Sequence, residues 1–343
     1  MSDTAPIRSG ESLDWQQLET YLRGVLPDLP AAPMRVSQFH GGHANLTYQL
    51  QFGDREMVLR RPPFGKIAPG AHDMGREFRV LSKLRAHYNR APRAYHYTED
   101  ETIIGAKFVV MERRHGVVVR YRVPKVFAGA ERAEERLTRA LIDALADLHT
   151  IDVAANGLGE LGRPDGFLQR QLGGWTKRWN LSKTEDNPTM DRVGELLAER
   201  LPASKYVSVI HNDFKLDNCQ FLPHDPDRVS AVFDWDMTTL GDPLADFGSA
   251  LSYWPDSRVA PEKNPVNMRG TWPDKQFLID HYAARTGFDL AQLDWYHAFA
   301  YWKNAIILQQ LYQRYQLGKT QDPRMAKLGV TAVAFGEVAL DLL

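Results

Sequence analysis

The stretch His211-Asn212-Asp213-Phe214-Lys215-Leu216-Asp217-Asn218, followed by Asp234-Trp235-Asp236, decides how this chain is read. An aspartate with an asparagine five residues on, in one short loop, suits a proton acceptor beside a metal ligand, which is what phosphoryl transfer needs. Lys215 puts a cation where a transferring phosphate can sit. Asp234 follows the apolar run 229–233, which reads as a strand delivering it to a loop. Asp236, two residues further, faces the same side of an extended segment. Hard Mg²⁺ takes such oxygens together with phosphate oxygens and water.

Working outward, the residues before the loop (206–210) read as an apolar strand. Short strands at 220–222 and 230–233 flank a turn at 224–227. From Leu244 onward the pattern is helical, with a long helix expected over 293–317. Toward the N-terminus, Leu18, Tyr21, Leu22 and Val25 recur at helical spacing within 13–26, and Pro27 ends the pattern. Tyr48, Leu50 and Phe52 alternate with polar residues, Gly53-Asp54 makes a turn, and Met57–Arg60 resumes as a second strand. Met74, Phe78, Leu81, Leu84 and Tyr88 mark a helix. Ile103-Ile104 and Phe108–Met111 read as further strands. Helical spacing then takes over at Leu137, Leu141, Leu145 and Leu148 and again over 167–179. The Pro-rich stretch 255–274 reads as a loop or insertion near the substrate side. The expectation is an α+β fold with a small β-rich lobe, 1–112, and a larger, mainly helical lobe, 113–343.

Composition narrows the class. The formal net charge of −1 gives no global reason to expect a nucleic-acid or anionic-membrane partner. One cysteine, Cys219, cannot close an internal disulfide, which suits a reducing compartment and a cytoplasmic location. No apolar leader core or run long enough to cross a membrane is expected. No HExxH or paired-cysteine set points to zinc.

The loop and FDWDMTTLGDPLADFG (233–248) resemble the aminoglycoside phosphotransferase and choline kinase superfamily, whose fold is similar to that of protein kinases. FHGGHANLTYQL (39–50), VLRRPPFG (58–65), GREFRVLSKL (75–84), FVVMERRHG (108–116), LADLHTID (145–152) and RQLGGWTKRW (170–179) resemble a bacterial branch related to the kinase domain fused to acyl-CoA dehydrogenases in animals. The resemblance implies an ATP- and Mg-dependent kinase acting on a small-molecule hydroxyl. Asp213 would be the base, with Asn218 and Asp234 as metal ligands and Asp236 as a metal or supporting candidate. His211 would brace the loop. Arg60 would meet the α- and β-phosphates, held by Glu77. Gly41 and Gly42 would offer backbone amides, and the backbone from Glu112 to Arg114 would face adenine. Asp246 would support the loop structurally.

The departures are specific. Leu59-Arg60-Arg61 stands where the superfamily has a lysine, and alternation along the strand, with Val58 and Arg60 on one face, favours Arg60 over Arg61. Ala44 replaces a frequent serine, and Asn212 the commoner glycine. The protein-kinase signatures are missing, with Asp234-Trp235-Asp236 in place of D-F-G. From Pro255 onward nine acidic residues face ten Lys or Arg, which disfavours a polycationic antibiotic as acceptor. The resemblance to the animal-like branch implies a hydroxyacyl-CoA as the leading acceptor, with Arg113, Arg114, Arg120 and Arg122 as cations for its phosphates. Choline-like and sugar alcohols are the alternatives, and a silent nucleotide-binding pseudokinase is the rival class. Trp295, Phe299 and Trp302 read as a core stripe before an aromatic cage.

Overall fold

The computed structural model describes residues 3–40, 45–65, 72–120, 122–259 and 268–343. They form two compact units, Met1–Gly116 with Ser230–Thr238, and Val117–Val229 with Thr239–Leu343.

The first unit is built on an antiparallel sheet ordered β1-β2-β3-β5-β4. Its elements in chain order are α1 (Trp15–Val25), β1 (Met34–Gln38), β2 (Leu46–Phe52), β3 (Arg55–Arg61), α2 (Met74–Leu84), β4 (Ala94–Thr98) and β5 (Phe108–Glu112). The alternation in β2 buries Leu46, Tyr48, Leu50 and Phe52 and leaves Thr47, Gln49 and Gln51 half-buried. Phe52 pairs with Arg55 across a tight turn whose Gly53 sits at φ 59, a conformation glycine adopts without steric cost. Leu18 and Leu22 of α1 close one face of the sheet over Leu50, Phe52, Met57 and Phe108, each side chain stabilising the fold by roughly 1.5–3 kcal/mol through burial. Asp14 and Asp73 cap α1 and α2 by accepting from the amides of Gln17 and Arg76.

Some expectations change here. Ile103 and Ile104 lie in a turn, not a strand, although both are buried. Asp100 captures the amide and hydroxyl of Thr102, and Gly105, at φ 75, donates back to Glu101; this local bonding outcompetes the β preference of the two isoleucines. The helix of 74–88 stops at Leu84, yet Tyr88 stays buried, edge-on to Trp235 at 5.8 Å.

The second unit is mainly helical. It contains β6 (Val117–Val118), α3 (Ala133–His149), α4 (Phe167–Ser182), α5 (Pro188–Glu199), β7 (Ser208–Ile210), β8 (Cys219–Leu222), β9 (Asp225–Val232), β10 (Thr239–Gly241), α6 (Pro243–Ser252), α7 (Lys275–Thr286), α8 (Leu293–Gln316) and α9 (Leu328–Asp341); β9 runs past Val229 into the first unit's segment. The hairpin turn between β8 and β9 is Pro223-His224 and not 224–227, with His224 at φ 65. Pro226 therefore lies within β9, which an edge strand of the sheet β6-β8-β9 tolerates. α8 buries residues on every face from Leu293 to Ile306, so it serves as the unit's central helix, packed by α4, α5, α6 and α9. Trp295 and Phe299 stack at 5.4 Å and Trp302 bonds the Met190 carbonyl, which makes the aromatic stripe core. At Gly248 a Cβ would lie 2.7 Å from the Tyr296 carbonyl, so α6 can approach α8 only with glycine there. No helix among the described residues is long and apolar enough to cross a membrane.

α8 also anchors segment 255–259 and the start of α7. Lys275 Nζ reaches Asp256 Oδ2 at 2.6 Å and the Tyr301 hydroxyl at 2.7 Å, with His297 Nε2 at 3.3 Å and Arg258 bound to the same carboxylate at 2.8 Å. Burial, then Lys275 and Arg258, pushes the His297 imidazole down to about 3, while Asp256 opposes. The unfolded imidazole titrates near 6.5, so this stabilisation is complete above about pH 6.5 and is lost as pH falls toward 3. Its slope is about 1.4 kcal/mol per pH unit at most. His297→Gln is expected to flatten the loss of stability between pH 6.5 and 4, measured by urea unfolding; parallel curves for both proteins would contradict this assignment.

Candidate functional site

In the second unit, β7 ends at Ile210 and hands the chain to the loop 211–218, which a single carboxylate organises. Asp246, in the first turn of α6, is fully buried. Its Oδ2 accepts from the His211 amide at 2.6 Å and its Oδ1 from the Asn212 amide at 2.8 Å. His149 Nε2, from the end of α3, lies 3.2 Å from Oδ2. Burial alone would lift this carboxyl, but the contacts with His149 and His211 hold it below the usual carboxylate range. To present two successive amides to one carboxylate, the backbone turns left-handed at Asn212, φ 68. Asparagine tolerates that region better than most non-glycine residues, which explains why it stands where a glycine is commoner. His211 is fully buried and its Nδ1 takes the Asp213 amide at 3.3 Å, the geometry of a brace.

The Asp213 carboxylate meets three donors. Lys215 Nζ lies 2.9 Å from Oδ2 and 3.1 Å from Oδ1, Asn218 Nδ2 3.0 Å from Oδ2, and the Tyr253 hydroxyl 2.7 Å from Oδ1. Asn218 Nδ2 also donates to the Asp213 carbonyl at 2.8 Å. Two acceptors on the nitrogen fix the amide's orientation and turn its Oδ1, a hard ligand, away from Asp213. Burial and then the Asp213 charge hold the Tyr253 phenol well above its ordinary value, so it stays a donor. Lys303 of α8 is buried with Nζ 3.3 Å from Ser249 Oγ; burial lowers its ammonium, against which Asp213 and Asp246 act.

In the first unit, Arg60 of β3 donates to Glu77 of α2 and, at 2.7 Å, to Asp234 Oδ1. Burial alone would lower this guanidinium, but Glu77 and Asp234 raise it, so Arg60 stays a cation. Glu77 is fully buried, and burial pushes its carboxyl up to about 7 against the pull of Arg60. Arg61 turns elsewhere, to the carbonyls of Pro62 and Ile104 and over the Phe64 ring at 4.2 Å. Asp234 adopts φ 72 at the head of the one-turn helix Trp235–Met237. Burial, then the Asp234 charge, raises the Asp236 carboxyl, with Arg60, Asn45 and His72 opposing. Arg76 Nη1 holds the Asp236 carbonyl at 3.3 Å, and His72 Nδ1 meets Asn45 Oδ1 at 2.7 Å.

Crowded carboxylates of this kind fit a divalent cation. Among the described residues no group of three or more His, Cys, Asp or Glu could hold a metal ion by itself. Glu112 is engaged at the end of β5: its amide donates to the Arg93 carbonyl at 2.8 Å, and its carboxylate accepts from the Arg93 amide and lies 3.3 Å from Arg114 Nε. Arg114 also bonds the Asn89 carbonyl, and Arg113 pairs with Asp3 at 2.5 Å and covers the Phe39 ring. Arg120 and Arg122 are exposed. Gly41 and Gly42 lie outside the described residues. Sequence reading missed Tyr253, Asn45, His72 and Arg76; for Tyr253 the only available signal was its spacing of seven residues, about two helical turns, from Asp246.

Residues 35–296 match the phosphotransferase enzyme family. Among curated proteins, the chain is 33% identical over 99% of its length to acyl-CoA dehydrogenase family member 11 of Rattus norvegicus, and 31% identical over 99% to family member 10 of Mus musculus. It spans 44% and 32% of the lengths of those relatives. A crystal structure of a Ralstonia eutropha protein assigned as an aminoglycoside phosphotransferase is 31% identical, with a TM-score of 0.81, covering 96% of this chain and 98% of that one.

Asp246→Asn would set an NH₂ group against one of the two amide donors and remove the charge beside His149. The expected cost is about 3 kcal/mol of stability, measured by urea unfolding. A loss below about 1 kcal/mol would show that the loop does not hang on this carboxylate.

Proposed function

This chain belongs to the phosphotransferase enzyme family; from that premise we propose that it is a small-molecule kinase, moving the γ-phosphate of ATP, with Mg²⁺, onto the hydroxyl of a small molecule. The observation that carries the reading is the Asp213 carboxylate, oriented by three donors on a loop fixed from beneath by Asp246.

In this reading Asp213 takes the proton of the acceptor hydroxyl as its oxygen bonds to phosphorus and the bond to the ADP oxygen breaks. Lys215, already beside Asp213, turns to the transferring phosphate and balances its charge. Asn218 through Oδ1, with Asp234 and Asp236, would hold Mg²⁺, which supplies charge neutralisation for the phosphate oxygens. Arg60 meets the nucleotide phosphates, and Glu77 keeps its guanidinium from turning away. Gly41-Gly42 and the backbone of Glu112–Arg114 are assigned to phosphate and adenine contact. His211 acts by holding the loop. The two lobes are taken as 1–112 for nucleotide and 113–343 for acceptor.

A hydroxyacyl-CoA is the leading acceptor. The support for it is that the two curated relatives named above are acyl-CoA dehydrogenase family members. Aminoglycosides, amino alcohols and sugars are the alternatives. A silent nucleotide-binding module would have little use for an intact Asp213, Asn218 and Asp234.

Coupled ADP release over hydroxyacyl-CoAs, amino alcohols, sugars and aminoglycosides tests both levels. Asp213→Asn is expected to lower kcat by about 10²–10⁴-fold with the best acceptor. Undiminished turnover would remove Asp213 as the base, and turnover with an amino alcohol but no hydroxyacyl-CoA would replace the leading acceptor.

A further inference from the structure

We propose that Tyr253 is the positioning residue of the base, the group that keeps the Asp213 carboxylate aimed while its other partners are drawn to nucleotide and metal. The inference rests on the reading of Asp213 as the proton acceptor. Of the three donors on that carboxylate, two have work elsewhere during turnover: Lys215 is a cation suited to phosphate, and Asn218 offers its Oδ1 to a metal. The Tyr253 hydroxyl is a neutral donor, and among the described residues it makes this one hydrogen bond, at 2.7 Å to Oδ1. Its ring lies under the Lys215 ammonium at 5.1 Å, so the same side chain borders both groups.

The placement follows from α6. Asp246 in its first turn fixes the main chain of the loop, and Tyr253, seven residues on at its C-cap, fixes the loop's working side chain. Seven residues are about two turns, so both project from one face of the helix. The approach of α6 to α8 at Gly248 sets the position of that face. Loop main chain and base are thereby referred to one rigid element, the condition for holding a reactive group in a productive geometry.

A double-mutant cycle on the full-length protein tests this, with ATP, Mg²⁺ and the best acceptor of the panel; where no acceptor responds, slow ADP release to water serves the same cycle. Tyr253→Phe keeps the ring over Lys215 and removes only the hydroxyl. Its kcat is expected to fall about tenfold with KM for ATP changed less than about twofold, since the hydroxyl bonds the base and not the nucleotide, and thermal stability is expected to fall only by the one hydrogen bond removed. In the Asp213→Asn background the same substitution is expected to cost nothing further, because Tyr253 acts through that carboxylate. An undiminished kcat, or an equal loss in both backgrounds, would overturn the proposal. If Asp213→Asn alone leaves turnover intact, the base assignment itself fails, a result distinct from either.

Discussion

One buried carboxylate carries the architecture of the loop. Asp246 is fully buried, and two backbone amides and His149 converge on it to compensate its charge. That demand imposes the left-handed turn at Asn212, and the turn in turn sends Asp213 outward to meet Lys215, Asn218 and Tyr253. The carboxylate sits near the N-terminal end of α6, where the helix dipole favours negative charge. His149 is itself fixed by the Tyr282 hydroxyl at 2.7 Å, so α3, α6 and α7 all bear on the geometry of a few loop residues. Chemistry is thus displayed on a loop but located by helices.

The first unit solves a parallel problem with a buried cation. Arg60 stands on a strand buried on both faces, where an isolated guanidinium would be prohibitive. Glu77, itself fully buried, and Asp234 compensate it. An arginine in this setting keeps its charge and its planar fork, whereas a lysine could give up its proton under burial. The pairing ties β3, α2 and the segment 230–238 together, so the arginine proposed to meet phosphate is also a part of the unit's packing.

How much of this was legible in the chain depended on the range of the interactions. The strand at Leu46–Phe52, the turn at Gly53-Asp54 and the long α8 follow from periodicity and local turn chemistry, and these signals survive in the fold. The loop 211–218 and Asp234 stood out because phosphoryl transfer restricts residue type and spacing. Ile103-Ile104 misled, because a local bond from Asp100 overrode the β preference of two branched side chains. Pro226 misled in the other direction, since only the sheet's strand order shows that it can sit in a strand. The reason for Asn212 lies in a dihedral angle and that for Tyr253 in a contact across forty residues; neither leaves a mark in local composition. The acceptor was the least legible feature, because substrate recognition spreads over side chains of several helices that share no motif.

The central claim is that this protein makes a phosphate ester from ATP and a hydroxyl compound. The most direct test is phosphorus NMR of the reaction mixture, with protein, ATP and the panel of hydroxyl compounds, run with and without Mg²⁺. The account predicts a new phosphomonoester resonance growing in step with ADP and only in the presence of Mg²⁺. ADP appearing with inorganic phosphate alone across the whole panel, or ATP left unconsumed, would contradict it.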